Sequence, residues 1–127
     1  MARPILLDTD VLIDFFRGNE KAEAFINTYN ARIILSSIVV AELYAGVKED
    51  AEQDTLQEFV SLFRVVPVSA EIGKIGGLYK RDYGKSHGVG LADAILAATA
   101  EIENAELKTL NIRHYPMLKD LKPAYVK

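Results

Sequence analysis

The stretch Ile5-Leu6-Leu7-Asp8-Thr9-Asp10 constrains this chain more than any other, because an apolar run stops there at two carboxylates. Past the turn-forming Asp-Thr-Asp, the residues Val11, Leu12 and Phe15 recur at helical spacing, so a buried strand feeds a helix. Asp8 then stands at the carboxyl end of that strand, the edge where open α/β sheets bind ligands. A plainer reading has Asp8 or Thr9 as the cap of the helix and nothing more. Only the rest of the chain can separate the two.

The pattern of strand followed by helix recurs. Val11 to Arg17 is expected to be helical, ending at Gly18-Asn19, and Glu20 to Tyr29 carries Ala22, Phe25, Ile26 and Tyr29 on one helical face. Ile33-Ile34-Leu35 is a second strand, after which Ser36 or Ser37 caps a helix through Val47. Asp50 to Phe63 is amphipathic, with Leu56, Phe59, Val60 and Phe63 on its apolar side. Val65 to Val68 reads as an edge strand, since Pro67 cannot donate to a ladder. A helix capped by Ser69 runs to Tyr83, its small residues Gly73, Gly76 and Gly77 suited to close packing. Leu91 to Ile102 is an apolar helix, Leu107 to Leu110 a fourth strand, and the segment from Asn111 to Leu121 an irregular return. Such alternation implies an α/β fold with a parallel sheet covered by helices on both faces.

Gly84-Lys85-Ser86-His87-Gly88-Val89-Gly90 reads as a glycine-rich loop. It ends in Gly-Lys-Ser order at 84–86 but has Tyr79 where a phosphate-binding loop needs its first glycine, so nucleotide binding is rejected. His87 there is expected to be a surface residue.

A chain of 127 residues with half of them hydrophobic is expected to be one domain with a real core. No apolar run reaches membrane-spanning length, and residues 1–4 lack the apolar region of a signal peptide. With no cysteine, disulfides, thiolate chemistry and cysteine-ligated zinc are excluded. A soluble cytoplasmic location is the simplest fit. The net charge of -3 does not mark a nucleic-acid binder, yet its distribution is uneven. Glu49, Asp50, Glu52, Asp54 and Glu58 crowd one stretch. Lys74, Lys80, Arg81 and Lys85 gather around Asp82 alone, and Lys108, Arg113, Lys119, Lys122 and Lys127 dominate the tail. A polyanion could meet a basic face on a net-acidic protein.

Three acids stand in apolar segments without a local base. Glu42 has Ile38, Val39, Ala45 and Gly46 at helical neighbour positions, and Asp93 has Val89, Gly90, Leu96 and Ala97. Asp8 sits behind Ile5-Leu6-Leu7. Burying a carboxylate costs several kcal/mol unless something neutralises it. A shared cation would neutralise all three, and oxygen-only ligands suit Mg²⁺ or Mn²⁺. Such an ion lowers the pKa of water and stabilises charge on a phosphorus under attack, which points to phosphodiester hydrolysis. The alternative is that each acid caps a helix or pairs with a distant base. His114, soon after the fourth strand, is a candidate to face the same pocket.

Four segments in register resemble the motifs of PIN domains, most closely the VapC toxins of prokaryotic toxin–antitoxin pairs. They are Leu6-Leu7-Asp8-Thr9-Asp10-Val11-Leu12-Ile13, Val40-Ala41-Glu42-Leu43-Tyr44-Ala45-Gly46, Leu91 to Ala100 around Asp93, and Thr109-Leu110-Asn111-Ile112-Arg113-His114-Tyr115. The resemblance covers nearly the whole chain. It implies a PIN-like three-layer sandwich, its central and mostly parallel sheet of four to five strands flanked by helices. It also implies a Mg²⁺- or Mn²⁺-dependent endoribonuclease, homodimeric, cutting RNA and inhibited by a cognate antitoxin. Asp8, Glu42 and Asp93 fall on the family's metal-binding acids. Asp10, Asn111 and His114 are the polar groups around them, and Lys85 and Arg113 are candidates to steer the RNA backbone. Two departures matter: Asp10 stands where asparagine is frequent, and His114 stands where many members carry a fourth acid. The second implies one well-occupied ion site rather than two.

Other functions fit parts of the pattern. An RNA-processing PIN nuclease without an antitoxin keeps the fold and changes the role. A haloacid-dehalogenase-type phosphatase also opens with a strand and Asp-x-Asp, but it wants Thr or Val where Leu12 stands. A receiver-like signalling module needs a phospho-acceptor at a middle strand, and its candidate, Asp54, sits in an acidic helix. Phe59, Leu62 and Phe63 are expected either to form a self-association surface or to pack into the core.

Overall fold

The structure, a computed structural model, describes residues 2–127; Met1, part of the segment read above as lacking the apolar region of a signal peptide, lies outside them. Its sheet has four strands: β1 (Ile5–Leu7), β2 (Ile33–Ser36), β3 (Arg64–Val66) and β4 (Glu106–Lys108). Every pairing is parallel and the order is β3-β2-β1-β4. Helices flank this sheet: α1 (Thr9–Phe16), α2 (Glu20–Tyr29), α3 (Ser37–Ala45), α4 (Asp50–Val60), α5 (Ala70–His87) and α6 (Leu91–Ile102). Single 3₁₀ turns span Asn30–Arg32 and Ile112–His114.

Strand order follows from burial. All three residues of β1 are at most 1 % exposed, as a central strand covered on both faces requires. In β3 only Val66 is fully buried, and the strand lies at an edge, where Pro67 just beyond it costs no ladder bond. The connections run β1 to β2 to β3 in one direction, and the chain then returns to the far side of β1 to lay down β4. That reversal makes a topological switch point at the carboxyl ends of β1 and β4, the place where open α/β sheets bind ligands, and the amide of Asp8 ties the two strands together there by donating to the Lys108 carbonyl at 3.0 Å.

Several boundaries differ from the sequence reading. The expected glycine-rich loop is mostly helix: α5 continues through Gly84-Lys85-Ser86-His87 and stops at Gly88, whose φ of +65° is the left-handed cap favouring glycine. A central glycine lowers helix propensity without forbidding a helix that is supported by packing. Only residues 88–90 therefore separate α5 from α6. Strand β4 ends at Lys108 rather than Leu110, because the chain turns there so that the Leu110 amide and the Thr109 hydroxyl donate to Asp10. Helix α4 stops at Val60, short of Phe63.

Of the three glycines read as a close-packing face, only Gly76 serves that purpose. A Cβ there would lie 2.9 Å from Ile95 Cγ1 and 3.0 Å from its Cα, whereas Gly73 and Gly77 face open space. Gly76→Ala is therefore expected to push α6 away from α5 and to cost about 1–3 kcal/mol, as overpacking does. Urea unfolding checks this, with Gly77→Ala as the neutral or mildly stabilising control.

Candidate functional site

Asp8 is a cap with a second set of partners. It is the N-cap of α1, and its Oδ1 accepts the Thr9 amide at 2.7 Å. Oδ2, on the other side, accepts the Thr109 hydroxyl at 2.9 Å and the Tyr115 hydroxyl at 2.6 Å. The capping reading of Asp8 therefore holds, and capping engages only one of its two oxygens.

The same two hydroxyls reach further acids. Thr109 Oγ1 also lies 3.1 Å from Asp10 Oδ2, and Tyr115 Oη lies 3.2 Å from Asp93 Oδ1. His114 Nδ1 lies 3.2 Å from Asp93 Oδ2. A continuous chain results, Asp10–Thr109–Asp8–Tyr115–Asp93–His114, assembled from α1, the end of β4, the 3₁₀ turn after it and α6. Each hydroxyl has one proton to give and two carboxylates asking for it. The network is short of positive charge.

The electrostatics agree. Burial first, and the neighbouring Asp8 charge second, push the Asp10 carboxyl above its ordinary value, against the amides of Leu110 and Val11 and the Thr109 hydroxyl, which favour the anion. Burial and Asp8 likewise raise Asp93, which Tyr115 and His114 only partly offset. Burial, and then the charges of Asp8 and Asp93, drive the Tyr115 phenol far upward, so it remains a proton donor. Among the described residues no Lys or Arg comes within ion-pair distance of Asp8, Asp10, Glu42 or Asp93.

Glu42 needs a correction. Its helix α3 was read as apolar on nearly every side and the carboxylate therefore as buried, but Glu42 is exposed. Only Val39 and Leu43 of α3 are fully buried, while Ala41, Tyr44 and Ala45 on the outer side face solvent. The Glu42 carboxylate reaches back to the site by accepting the Thr9 hydroxyl at 2.7 Å, beside Asp8. As the side chains stand, no group of three acids or histidines among the described residues converges as the ligands of one ion; each acid is drawn onto a hydroxyl instead.

The remaining candidates sit around this core. Asn111 begins the 3₁₀ turn, its amide bonded to Thr109 Oγ1 at 3.0 Å and its carbonyl accepting from His114. Arg113 is exposed within that turn. Lys85 is exposed in the last turn of α5, apart from the acids but on the helix that leads into α6. Reading the sequence missed the parts played by Thr9, Thr109 and Tyr115. Their signal was present in the quoted motif segments, but hydroxyls carry no charge to mark them.

A family model described as PIN domain matches residues 5–116, which include every acid of this site. The chain is a PIN domain. Among curated relatives, this PIN domain is 38% identical over 124 residues to ribonuclease VapC19 of Mycobacterium tuberculosis, covering 94% of this chain and 98% of the relative. It is 36% identical over 124 residues to ribonuclease VapC10 of the same organism, covering 95% and 92%. Among solved structures, a toxin–antitoxin complex from Klebsiella pneumoniae contains a chain that superposes with a TM-score of 0.84 at 25% identity, covering 97% of this chain and 99% of that one. The PIN fold accounts for the parallel four-stranded sheet and its flanking helices.

Proposed function

We propose that this PIN domain is a divalent-metal-dependent endoribonuclease, the toxin of a VapC-type toxin–antitoxin pair. One observation carries the reading: Asp8, Asp10 and Asp93 lie together, joined by two hydroxyls, the charge of Asp8 raises the proton affinity of the other two, and among the described residues no Lys or Arg pairs with them. The naming of its relatives as VapC ribonucleases supports the activity, and the solved toxin–antitoxin complex supports the antitoxin partner.

Asp8, Glu42 and Asp93 would hold the ion, Mg²⁺ or Mn²⁺, and the donors fit it. All are hard oxygens, two are partly or wholly desolvated, and their mutual repulsion is what a dication relieves. When bound, it supplies Lewis acidity and a more acidic water at the scissile phosphate. Glu42, exposed and held only by Thr9, is the acid with freedom to turn inward. Asp10 fixes the backbone of Leu110 and so the start of the turn carrying Asn111, Arg113 and His114. His114 orients Asp93, and the exposed cations Arg113 and Lys85 hold the RNA backbone across the mouth. One ion per chain fits best, because His114 occupies the place of a further acid.

No described helix is long and apolar enough to cross a membrane, and a cytoplasmic protein working as a homodimer fits this role. The RNA-processing alternative shares the chemistry and differs only in lacking an antitoxin. The phosphatase reading finds no support in the relatives. Purified protein given a labelled single-stranded RNA tests the proposal. Cleavage is expected with Mg²⁺ or Mn²⁺, to stop in EDTA and to resume on adding back the ion. Equal cleavage in EDTA would contradict it.

A further inference from the structure

We infer that Tyr115 is a positioning residue that selects which dication this site accepts, an inference resting on the metal-site reading above. A carboxylate offers about four acceptor sites, two on each oxygen. In Asp8, Oδ2 has both taken, by the hydroxyls of Thr109 at 2.9 Å and Tyr115 at 2.6 Å, each of which lies nearer this oxygen than its other carboxylate at 3.1 and 3.2 Å, and Oδ1 has one taken by the Thr9 amide at 2.7 Å. One acceptor site remains free, on Oδ1. Asp8 can therefore be a one-oxygen ligand and cannot chelate through both oxygens while Tyr115 donates.

That restriction discriminates between ions. Mg²⁺ and Mn²⁺ fit six ligands in octahedral geometry and accept single oxygens and waters. Ca²⁺ is larger, takes six to eight oxygens and readily uses carboxylates bidentately. A saturated Oδ2 thus penalises Ca²⁺ selectively. Tyr115 is suited to hold this position. It is 1 % exposed, and its ring is packed in the core, which holds the hydroxyl against Asp8.

Tyr115→Phe removes the hydroxyl and keeps the buried ring. Calorimetric titration of the wild-type chain and this variant with MnCl₂ and separately with CaCl₂ reads the effect without any RNA present. The expected result is a shift of the Ca²⁺-to-Mn²⁺ affinity ratio toward Ca²⁺ by about tenfold or more, the scale on which outer-sphere partners tune metal sites. A melting curve of the variant without metal shows that the ring alone maintains the fold, and Thr109→Ser, which keeps the second donor, is expected to retain the wild-type ratio. An unchanged ratio in folded Tyr115→Phe overturns the role of Tyr115 while leaving the metal site standing. Absence of Mn²⁺ binding in the wild-type chain overturns both.

Discussion

Asp8→Asn is expected to lower RNA cleavage by more than about 100-fold, beyond the loss that removing an outer hydrogen-bond partner of a metal ligand brings, and to leave the fold intact. Its stability is expected to hold because asparagine caps a helix about as well as aspartate does, so the Thr9 amide at 2.7 Å keeps an acceptor. Its activity is expected to fall because the substitution removes the charge at the centre of the hydroxyl chain, the one acid whose field raises both Asp10 and Asp93. Asp8→Ala separates the two roles from the other side: it loses the charge and also the cap, at about 0.5–2 kcal/mol. Initial rates on a fluorogenic RNA, set beside melting curves for both variants, check this. A fully active Asp8→Asn protein would remove Asp8 from the chemistry.

The largest expected effect on stability comes from Phe59→Ala. Phe59 is 8 % exposed, and its ring centroid lies 5.1 Å from Phe15, 5.0 Å from Phe16 and 5.0 Å from Phe63. Truncating a buried phenylalanine costs about 3–5 kcal/mol through lost burial and the cavity left behind. Against a total of about 5–15 kcal/mol for an ordinary domain, that is a large share. Two of the three neighbouring rings belong to α1, so the substitution also loosens the helix whose first turn presents Asp8 and Asp10. Urea unfolding should show a lower midpoint with an unchanged slope. A loss under about 1 kcal/mol would mean that the aromatic cluster collapses around the gap and holds α1 without Phe59.

The sequence made the frame legible because its strands are short aliphatic runs bounded by turn residues. Ile5-Leu6-Leu7 and Ile33-Ile34-Leu35 fall where expected, and Ser36 and Ser69 cap α3 and α5, since such signals are local. Errors arose where tertiary packing decides. A helix runs through Gly84 because α5 packs along α6, and an apolar α3 leaves Ala41 and Glu42 exposed because apolar composition does not say which side meets the core. Of the hydrophobics weighed as core or surface, Phe59 is buried, Phe63 half-buried, and Leu62 is 75% exposed.

The acids of the site were legible for a similar reason: a carboxylate in an apolar segment is conspicuous. Asp14 shows the limit of that signal. It is 6 % exposed, yet its partners are Tyr125 at 2.8 Å and Lys127 at 3.1 Å, more than a hundred residues away in sequence. Burial alone would raise its carboxyl, but those two groups outweigh burial and hold it below the usual range. Asp14 is a buried acid with distant partners of its own. Among the described residues Asp8, Asp10 and Asp93 have no lysine or arginine partner, and local neighbours in the sequence do not tell the two cases apart.

These acids are kept together for a dication if the chain binds one through them. Calorimetric titration of the metal-free chain with Mn²⁺ measures this directly, for the wild type and for Asp8→Asn and Asp93→Asn. The expected result is saturable binding at one ion per chain in the wild type and its loss in both variants. Wild-type affinity retained in both variants, or no binding by the wild-type chain, would contradict the account.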